Sequence, residues 1–138
     1  MLGQSSGAWL NGGGDLNRRF MVYLPSKTKD GKDIHGLDRI SDTVANLLRV
    51  RFGGATRYPA TGYFGEQKEE IVVIESYCSD EDWNASSDYF RGLMKALGTM
   101  LSQDAIACSL DGKMALVEPG AEEFGIEQIL KESLASPA

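Results

Sequence analysis

The chain is poor in the residues that most catalytic centres and metal sites need. Its 138 residues include one histidine, His35, and two cysteines, Cys78 and Cys108. A serine or cysteine triad needs a histidine beside its nucleophile, and a structural zinc site needs four cysteine or histidine ligands. His35 stands in a polar loop, and the cysteines lie far apart in apolar surroundings. The sequence therefore predicts two buried free thiols, with no metal and no cofactor.

Long apolar runs and an excess of positive charge are also missing. No stretch approaches the roughly 20 apolar residues that a membrane-spanning helix needs. The first residues have neither the basic start nor the apolar stretch of a secretion signal, so we expect a cytoplasmic protein. The formal net charge of −6 argues against general binding to nucleic-acid backbones or anionic lipid.

The length and composition are those of an ordinary globular protein. With 42% hydrophobic and 25% charged residues, the chain is long enough to bury the core of one domain. We divide it into an N-terminal arm (1–18), a central domain (19–118) and a C-terminal helix with a tail (119–138). The arm is rich in glycine, and its Trp9 and Leu10 are expected to dock on an apolar surface of this chain or of a neighbour.

Hydrophobic periodicity predicts the order of helices and strands. Period-two and continuous apolar patterns predict strands, and three-four spacing predicts helices, the first of which ends at Gly53 and Gly54. The predicted strands are 19–24, 56–64, 69–78, 105–110 and 113–117, and the predicted helices begin near Leu37, Asp80 and Phe124. Their order is that of an α+β, ferredoxin-like split βαβ sandwich (β-α-β-β-α-β), extended by a C-terminal hairpin strand and a terminal helix.

Two strands of this predicted sheet are too apolar to have a face in water. Residues 71–74 and 20–24 are apolar without alternation, whereas a half-exposed strand alternates apolar with polar residues. The terminal helix, the N-terminal arm or a second copy of the chain must cover the second face. We expect a homo-oligomer in which the arm is exchanged between copies.

The segment from Arg57 to Phe64 has the strongest character of a binding site. Aromatic residues such as Tyr58, Tyr63 and Phe64 can stack on a base, and arginine can hold phosphate with two hydrogen bonds. The opposing interpretation places Tyr63 and Phe64 in the core and makes Arg57 a solvated charge on an edge strand.

Glu75 offers a route to catalysis because it interrupts the most apolar strand. A carboxylate facing a covered surface must be paired or act as a general base, and Tyr63 or Tyr77 would be its partner in a small isomerase or hydrolase. The opposing interpretation places Glu75 near a strand end, where it reaches solvent or an arginine. Because no catalytic motif is present, we expect a protein that is not an enzyme.

Four short motifs resemble those of known small domains: RFGGAT (51–56), GYF (62–64), EIVVIESY (70–77) and LSQDAIACSLDG (101–112). Over residues 19–117 the chain resembles a family of small bacterial domains of unknown function. More distantly, it is similar to phage anti-defence proteins that sequester the cyclic ADP-ribose signals of Thoeris immunity and, in some cases, cyclic oligonucleotides. The long arm and the extra C-terminal helix depart from that pattern.

The resemblance implies a non-catalytic oligomer with ligand pockets between protomers, lined by arginine and aromatic groups. By that analogy the pocket residues are Arg57, Tyr63 and Phe64, together with Arg19, Phe20 and Gln103. The expected ligand is a small, anionic, nucleotide-like molecule.

Overall fold

The computed structural model describes residues 15–135, in which five strands and three helices follow one another. The strands are β1 (Arg18–Pro25), β2 (Thr56–Phe64), β3 (Gln67–Cys78), β4 (Ile106–Leu110) and β5 (Lys113–Val117), and the helices are α1 (Leu37–Phe52), α2 (Asp80–Met100) and α3 (Ile126–Ala135). Their types and order agree with the prediction. The prediction for Trp9 and Leu10 lies outside the described residues.

One antiparallel sheet carries the fold, with the strand order β2-β3-β1-β4-β5. Helices α1 and α2 follow β1 and β3, and both pack on the same face of the sheet. This is the predicted ferredoxin-like α+β arrangement, with β5 added beside β4 through a hairpin. Pro59 is accommodated because β2 is an edge strand, where a missing donor on the outer side breaks no ladder.

Local signals place the ends of the helices where the sequence predicts them. Gly53 follows α1 with φ 95°, a left-handed conformation that costs glycine little, and its N–H donates to the carbonyl of Arg49. At the start of α2, the Ser79 hydroxyl accepts a hydrogen bond from the Asp82 N–H. The acidic residues of that first turn suit the positive end of the helix.

The β4–β5 hairpin is closed by Asp111 and Gly112, both with positive φ (53° and 83°), as a two-residue type I′ turn requires. Asp111 also holds the start of β1. Its carboxylate accepts the Arg19 N–H at 2.8 Å, and its own N–H donates to the Arg19 carbonyl at 2.9 Å. The turn is thereby fastened to the central strand.

Alternate residues of the central strand form the core. Phe20, Val22 and Leu24 of β1 are almost fully buried beneath the two helices. The helices bury one stripe each, as their three-four spacing predicts. The largest core contributions from the helices come from Ile40, Val44 and Leu48 of α1 and from Phe90, Leu93 and Leu97 of α2.

Helix α3 packs on α1 and α2 and makes its contacts there, with Ile126 and Leu130 fully buried. The terminal helix is thus not the element that covers the second face of the sheet. Two glycines of α2 lie against the chain that leads into α3. A side chain at Gly92 would contact Phe124, and one at Gly98 would come within 3.0 Å of Pro119.

We call the sheet face turned away from the helices the open face. Its members follow from the strand register and are mostly apolar or aromatic. They are Arg19, Met21, Tyr23, Thr56, Tyr58, Ala60, Ile71, Val73, Glu75, Tyr77, Ala107, Ser109, Met114 and Leu116. Nothing within residues 15–135 forms a second layer over them. None of the described helices has the length and apolar character to cross a membrane.

Candidate ligand site on the open face

An arginine–carboxylate pair lies at the end of the open face nearest α1. Glu75 Oε2 accepts hydrogen bonds from Arg19 Nη2 at 2.6 Å and from Arg19 Nε at 2.9 Å. The Glu75 side chain is 16% exposed, whereas that of Arg19 is 44% exposed. The contact with Glu75 raises the pKa of Arg19 above its ordinary value, although partial burial opposes this. Glu75 Oε1 takes part in neither contact and can accept a donor from a ligand.

Aromatic rings surround this pair. The Arg19 guanidinium lies over the Tyr77 ring, 5.8 Å from its centroid, a cation–π contact. Tyr77 is half exposed, and it faces the same side as Glu75 because the two are separated by one residue on β3. Tyr58 projects from β2 on this face, opposite Val73. The arrangement offers two ring surfaces and one carboxylate to the same ligand.

A shallow hollow of about 540 Å³ adjoins the pair at the junction of α1, β2 and β3. Glu75 and Tyr77 form one wall of it, and the backbone of Gly53 and Gly54 forms the other. A side chain at either glycine would meet nothing within 4 Å, so the backbone there is open to a ligand. We call this the Glu75 hollow.

Ser76 fixes the glycine wall in place, a role that sequence reasoning missed. It is 2% exposed, points to the helix side, and its hydroxyl donates to the carbonyl of Gly54. A buried serine inside an apolar strand was the available signal, since such a hydroxyl needs a partner. Its partner lies 22 residues away along the chain and becomes visible only in the fold.

Arg57 does not join the hollow. Its side chain turns to the helix side of β2, where it pairs with Asp38 and Asp42 of α1 and donates to the Asp38 carbonyl. Consecutive residues of a strand face opposite sides, so Arg57 and Tyr58 cannot contact one ligand from the same face. The arginine fastens the edge strand to α1.

Tyr63 and Phe64 lie at the far end of the β2–β3 hairpin and belong to the surface, not to the core. Phe64 covers Gly62, where any side chain would collide with its ring. Glu75 pairs with Thr56 across the strands, and Tyr63 is seven residues farther along β2, about 23 Å at strand spacing. Within one chain, Tyr77 is therefore the tyrosine beside Glu75, and Tyr63 is not.

The remaining predicted ligand residues have other surroundings. Phe20 is buried on the helix side and packs against Trp83 and Phe90, with centroids 5.0 and 5.4 Å away. Gln103 donates its amide hydrogens to the carbonyls of Lys27 at 2.7 Å and Leu101 at 3.0 Å, so it ties a loop to the end of α2. Of the seven residues we predicted, none lines the hollow: Arg19 contacts its Glu75 wall, and Tyr58 lies beside it on the same face of the sheet.

The thiols and the histidine stand apart from the hollow. Both cysteines are free and buried, as predicted. Burial raises the pKa of Cys78 to about 11 and that of Cys108 above its ordinary value, which keeps both as unreactive thiols. His35 is exposed in the loop before α1. Within residues 15–135, no three histidine, cysteine, aspartate or glutamate side chains are grouped to hold a metal ion.

Comparison with known proteins finds likeness in structure and none in sequence. No protein-family model matches the chain, and no curated protein matches its sequence. Two solved structures share its fold, a phage SAM lyase in complex with S-methyl-5'-thioadenosine and a phage SAM lyase in the apo state. Both superpose with a TM-score of 0.53 over 77% of this chain and 92% of theirs, at 16% and 18% identity. The likeness supports the ferredoxin-like fold.

Proposed function

We propose that this chain is a homo-oligomeric protein that binds a small adenosine-derived ligand in the Glu75 hollow. The observation that carries the proposal is that one carboxylate, one tyrosine ring and an open glycine backbone line the same hollow, while Arg19 holds the carboxylate and Tyr58 lies beside it on the same face. Binding sites for small ligands combine apolar walls with a few placed polar groups in this way.

Each part of the hollow suits one part of such a ligand. The Tyr77 ring can stack on the adenine, and a carboxylate such as Glu75 accepts hydrogen bonds from the hydroxyls of a ribose. The backbone of Gly53 and Gly54 permits close approach. The ligand named for one structural neighbour, S-methyl-5'-thioadenosine, has these two groups and an apolar thioether.

Self-association would complete the site. Tyr77, Met114 and Leu116 expose large parts of their side chains on the open face, 49%, 59% and 71%. Contiguous apolar surface of this kind marks interaction sites in soluble proteins. A second copy of the chain that packs on this face would bury it and would cover the Glu75 hollow. We therefore expect a native mass that is a multiple of 15.0 kDa.

A panel of ligands tests the proposal and its finer version, sequestration of a defence signal by a phage anti-defence protein. S-methyl-5'-thioadenosine, S-adenosylmethionine, isomers of cyclic ADP-ribose and cyclic oligonucleotides are each added in a thermal-shift assay. A ligand at 100 times its dissociation constant stabilises the protein by about 2.7 kcal/mol. Glu75→Gln should remove the shift, and Glu66→Gln, an exposed carboxylate in the β2–β3 turn, should keep it. No shift with any ligand ends the proposal.

A second candidate function is catalysis by Glu75 with Tyr77. It is favoured by their adjacency on one face of β3 and by the enzymatic names of both structural neighbours. In that case Glu75 would act as general base and take a proton from the carbon β to the sulfonium of S-adenosylmethionine. The C–S bond would break toward sulfur, which would give neutral S-methyl-5'-thioadenosine and an unsaturated amino acid, and Tyr77 would orient the substrate. Incubation with S-adenosylmethionine, followed by chromatography, separates the two functions. An enzyme consumes it and releases S-methyl-5'-thioadenosine, and loses this turnover in Glu75→Gln, whereas a binding protein returns the ligand intact.

A further inference from the structure

A second cavity lies on the other side of the sheet from the Glu75 hollow. It has a volume of about 620 Å³ and opens between α2 and the β4–β5 hairpin. Helix α2 covers β4 but reaches little of β5, so the helix-facing side of this edge strand forms one wall. The chain from Glu118 to Gly120 closes one end. Its volume falls in the ordinary range for small-molecule sites.

The interior of this cavity is aromatic and apolar. The rings of Phe20, Trp83 and Phe90 stand together in its lining, with centroid distances of 5.0 and 5.4 Å from Phe20 to its two neighbours. Met94 and Cys108 continue the buried surface. The accessible part of this lining is the half-buried Trp83 ring with Leu110 and Val117, which can accept a flat aromatic body.

Three cations stand around the apolar interior. Arg91 and Lys95 are one helical turn apart on α2, and Lys113 comes from β5 on the opposite wall. None of the three forms an ion pair with any of residues 15–135, whereas Arg18, Arg19 and Arg57 are all paired with carboxylates. Within that part of the chain, Glu118 is the one acidic residue that lines the cavity.

The clustering of these charges is unfavourable in the empty protein. Like charges at positions i and i+4 of a helix destabilise it, and Lys113 adds a third positive charge nearby. On their outer side Arg91 and Lys95 also border a hollow lined by Asp88, Glu122 and Glu123, so acidic neighbours are present there. On the cavity side, an anion would reduce the repulsion that remains between the three cations.

The geometry points to a binding site for an aromatic anion, a flat ring system joined to a carboxylate, sulfonate or phosphate. The Trp83 ring, which lies against the buried rings of Phe20 and Phe90, receives the aromatic body, and Arg91, Lys95 and Lys113 hold the anionic group at the mouth of the cavity. This site is separate from the Glu75 hollow, and its existence does not depend on the function proposed above.

Calorimetric titration of the full-length protein with 2-naphthoate, and with uncharged 2-naphthylmethanol as its control, tests the charge requirement. We expect 2-naphthoate to bind, to lose affinity as sodium chloride is added, and to bind more tightly than the alcohol. Adenosine monophosphate is titrated in parallel, because a nucleotide is one natural member of this class. Absence of 2-naphthoate binding up to about 1 mM, an affinity of roughly −4 kcal/mol, overturns the proposal.

Charge-removing variants locate the anionic group. The triple change Arg91→Gln, Lys95→Gln, Lys113→Gln should weaken 2-naphthoate binding by about tenfold and leave the alcohol unaffected. Lys68→Gln, at an exposed lysine of the β2–β3 hairpin, is the matched control and should bind normally. Equal affinity in the triple variant and the wild type would contradict the proposal.

Two neighbouring positions on β5 test the location. Ala115 faces the cavity and Met114 faces the other side of the sheet. Ala115→Trp should fill the cavity and abolish 2-naphthoate binding, and Met114→Trp should preserve it. The reverse result would place the naphthoate on the open face and overturn the assignment. Both positions are exposed, so a thermal-unfolding scan of each variant verifies that the fold is intact.

Discussion

The two faces of the sheet are built from similar residues and end in different surroundings. On the helix side, Phe20, Val22 and Leu24 alternate down the central strand and lie beneath α1 and α2. On the open face, Met21 and Tyr23 occupy the positions between them and have no second layer within residues 15–135. The difference shows that apolar character alone does not identify a core. Whether a face becomes a core depends on the element that covers it, which here is the helix layer.

The largest expected effect on the free energy of unfolding comes from comparing two leucines, one on the helix side of the sheet and one on the open face. Leu97→Ala removes a fully buried side chain from α2 and should lower the free energy of unfolding by about 2–5 kcal/mol, because it leaves a cavity. Leu116→Ala on the open face should cost less than about 0.5 kcal/mol at protein concentrations low enough to keep the chain monomeric. Urea titration followed by circular dichroism measures both. Equal losses would mean that the open face is buried in the native assembly at Leu116.

The proposed homo-oligomer can be tested on the open face. Leu116→Asp places a charge in the apolar patch and should reduce the native mass to that of one 15.0 kDa chain. Native mass spectrometry reads the mass directly, and Lys29→Asp, an exposed position in the loop after β1, is the control. A wild-type protein that is already monomeric would contradict the homo-oligomer and leave the fold untouched.

A smaller effect is expected where α3 joins the helix side. The Glu122 carboxylate accepts hydrogen bonds from the N–H groups of Phe124, Ile126 and Glu127. Burial opposes its ionisation, but these backbone donors prevail and lower the pKa of Glu122 below its ordinary 4.5. Glu122→Ala should therefore cost about 1 kcal/mol at neutral pH, the usual effect of a lost helix cap.

The pH dependence of this cap follows from the sign of that shift. A carboxylate with a lowered pKa in the folded state stabilises the protein above its unfolded pKa, and this contribution disappears as the pH falls through the folded value. The difference between Glu122→Ala and wild type should thus be full above about pH 5 and should shrink in more acidic solution. Urea midpoints at pH 7 and at pH 4 measure it, and a constant difference would contradict the cap.

The smallest expected effect concerns the glycine wall of the Glu75 hollow. Ser76→Ala removes the donor to the Gly54 carbonyl and should cost about 1 kcal/mol, the ordinary value of one hydrogen bond. It should also weaken ligand binding, since the wall is no longer fixed. Ser102→Ala, at an exposed turn after α2, is the control. Unchanged binding in Ser76→Ala would show that the wall holds its position without this contact.

The local parts of the fold could be predicted because their signals are local. Gly53 at the end of α1, the acidic start of α2 and the Asp111-Gly112 turn each depend on residues a few positions apart. The strand order followed from these elements and from the short connections between them. The element that covers each face was not predictable in the same way. The terminal helix packs on the helix layer, where Gly92 and Gly98 allow the chain that precedes this helix to come close.

The candidate site was predicted less well, because the prediction did not consider which face of the sheet each residue occupies. Arg57 and Tyr58 were assigned to one pocket, yet adjacent residues on a strand point to opposite sides. The alternation of side chains along a strand could have shown that these two residues lie on opposite faces. The pairing of Arg57 with α1 and that of Ser76 with Gly54 depend on contacts between distant segments, which no pattern in the sequence specifies.

The attachment of the hairpin turn to the central strand has a consequence for engineering. Arg19 and Phe20 are consecutive on β1, so their side chains lie on opposite faces of the sheet. The Arg19 guanidinium is on the open face, and the Phe20 ring is on the helix side. Asp111 clamps the main chain of Arg19 through both its carboxylate and its amide. A single change at this aspartate would loosen both proposed sites together, and a ligand of either site could then be used to report on the other.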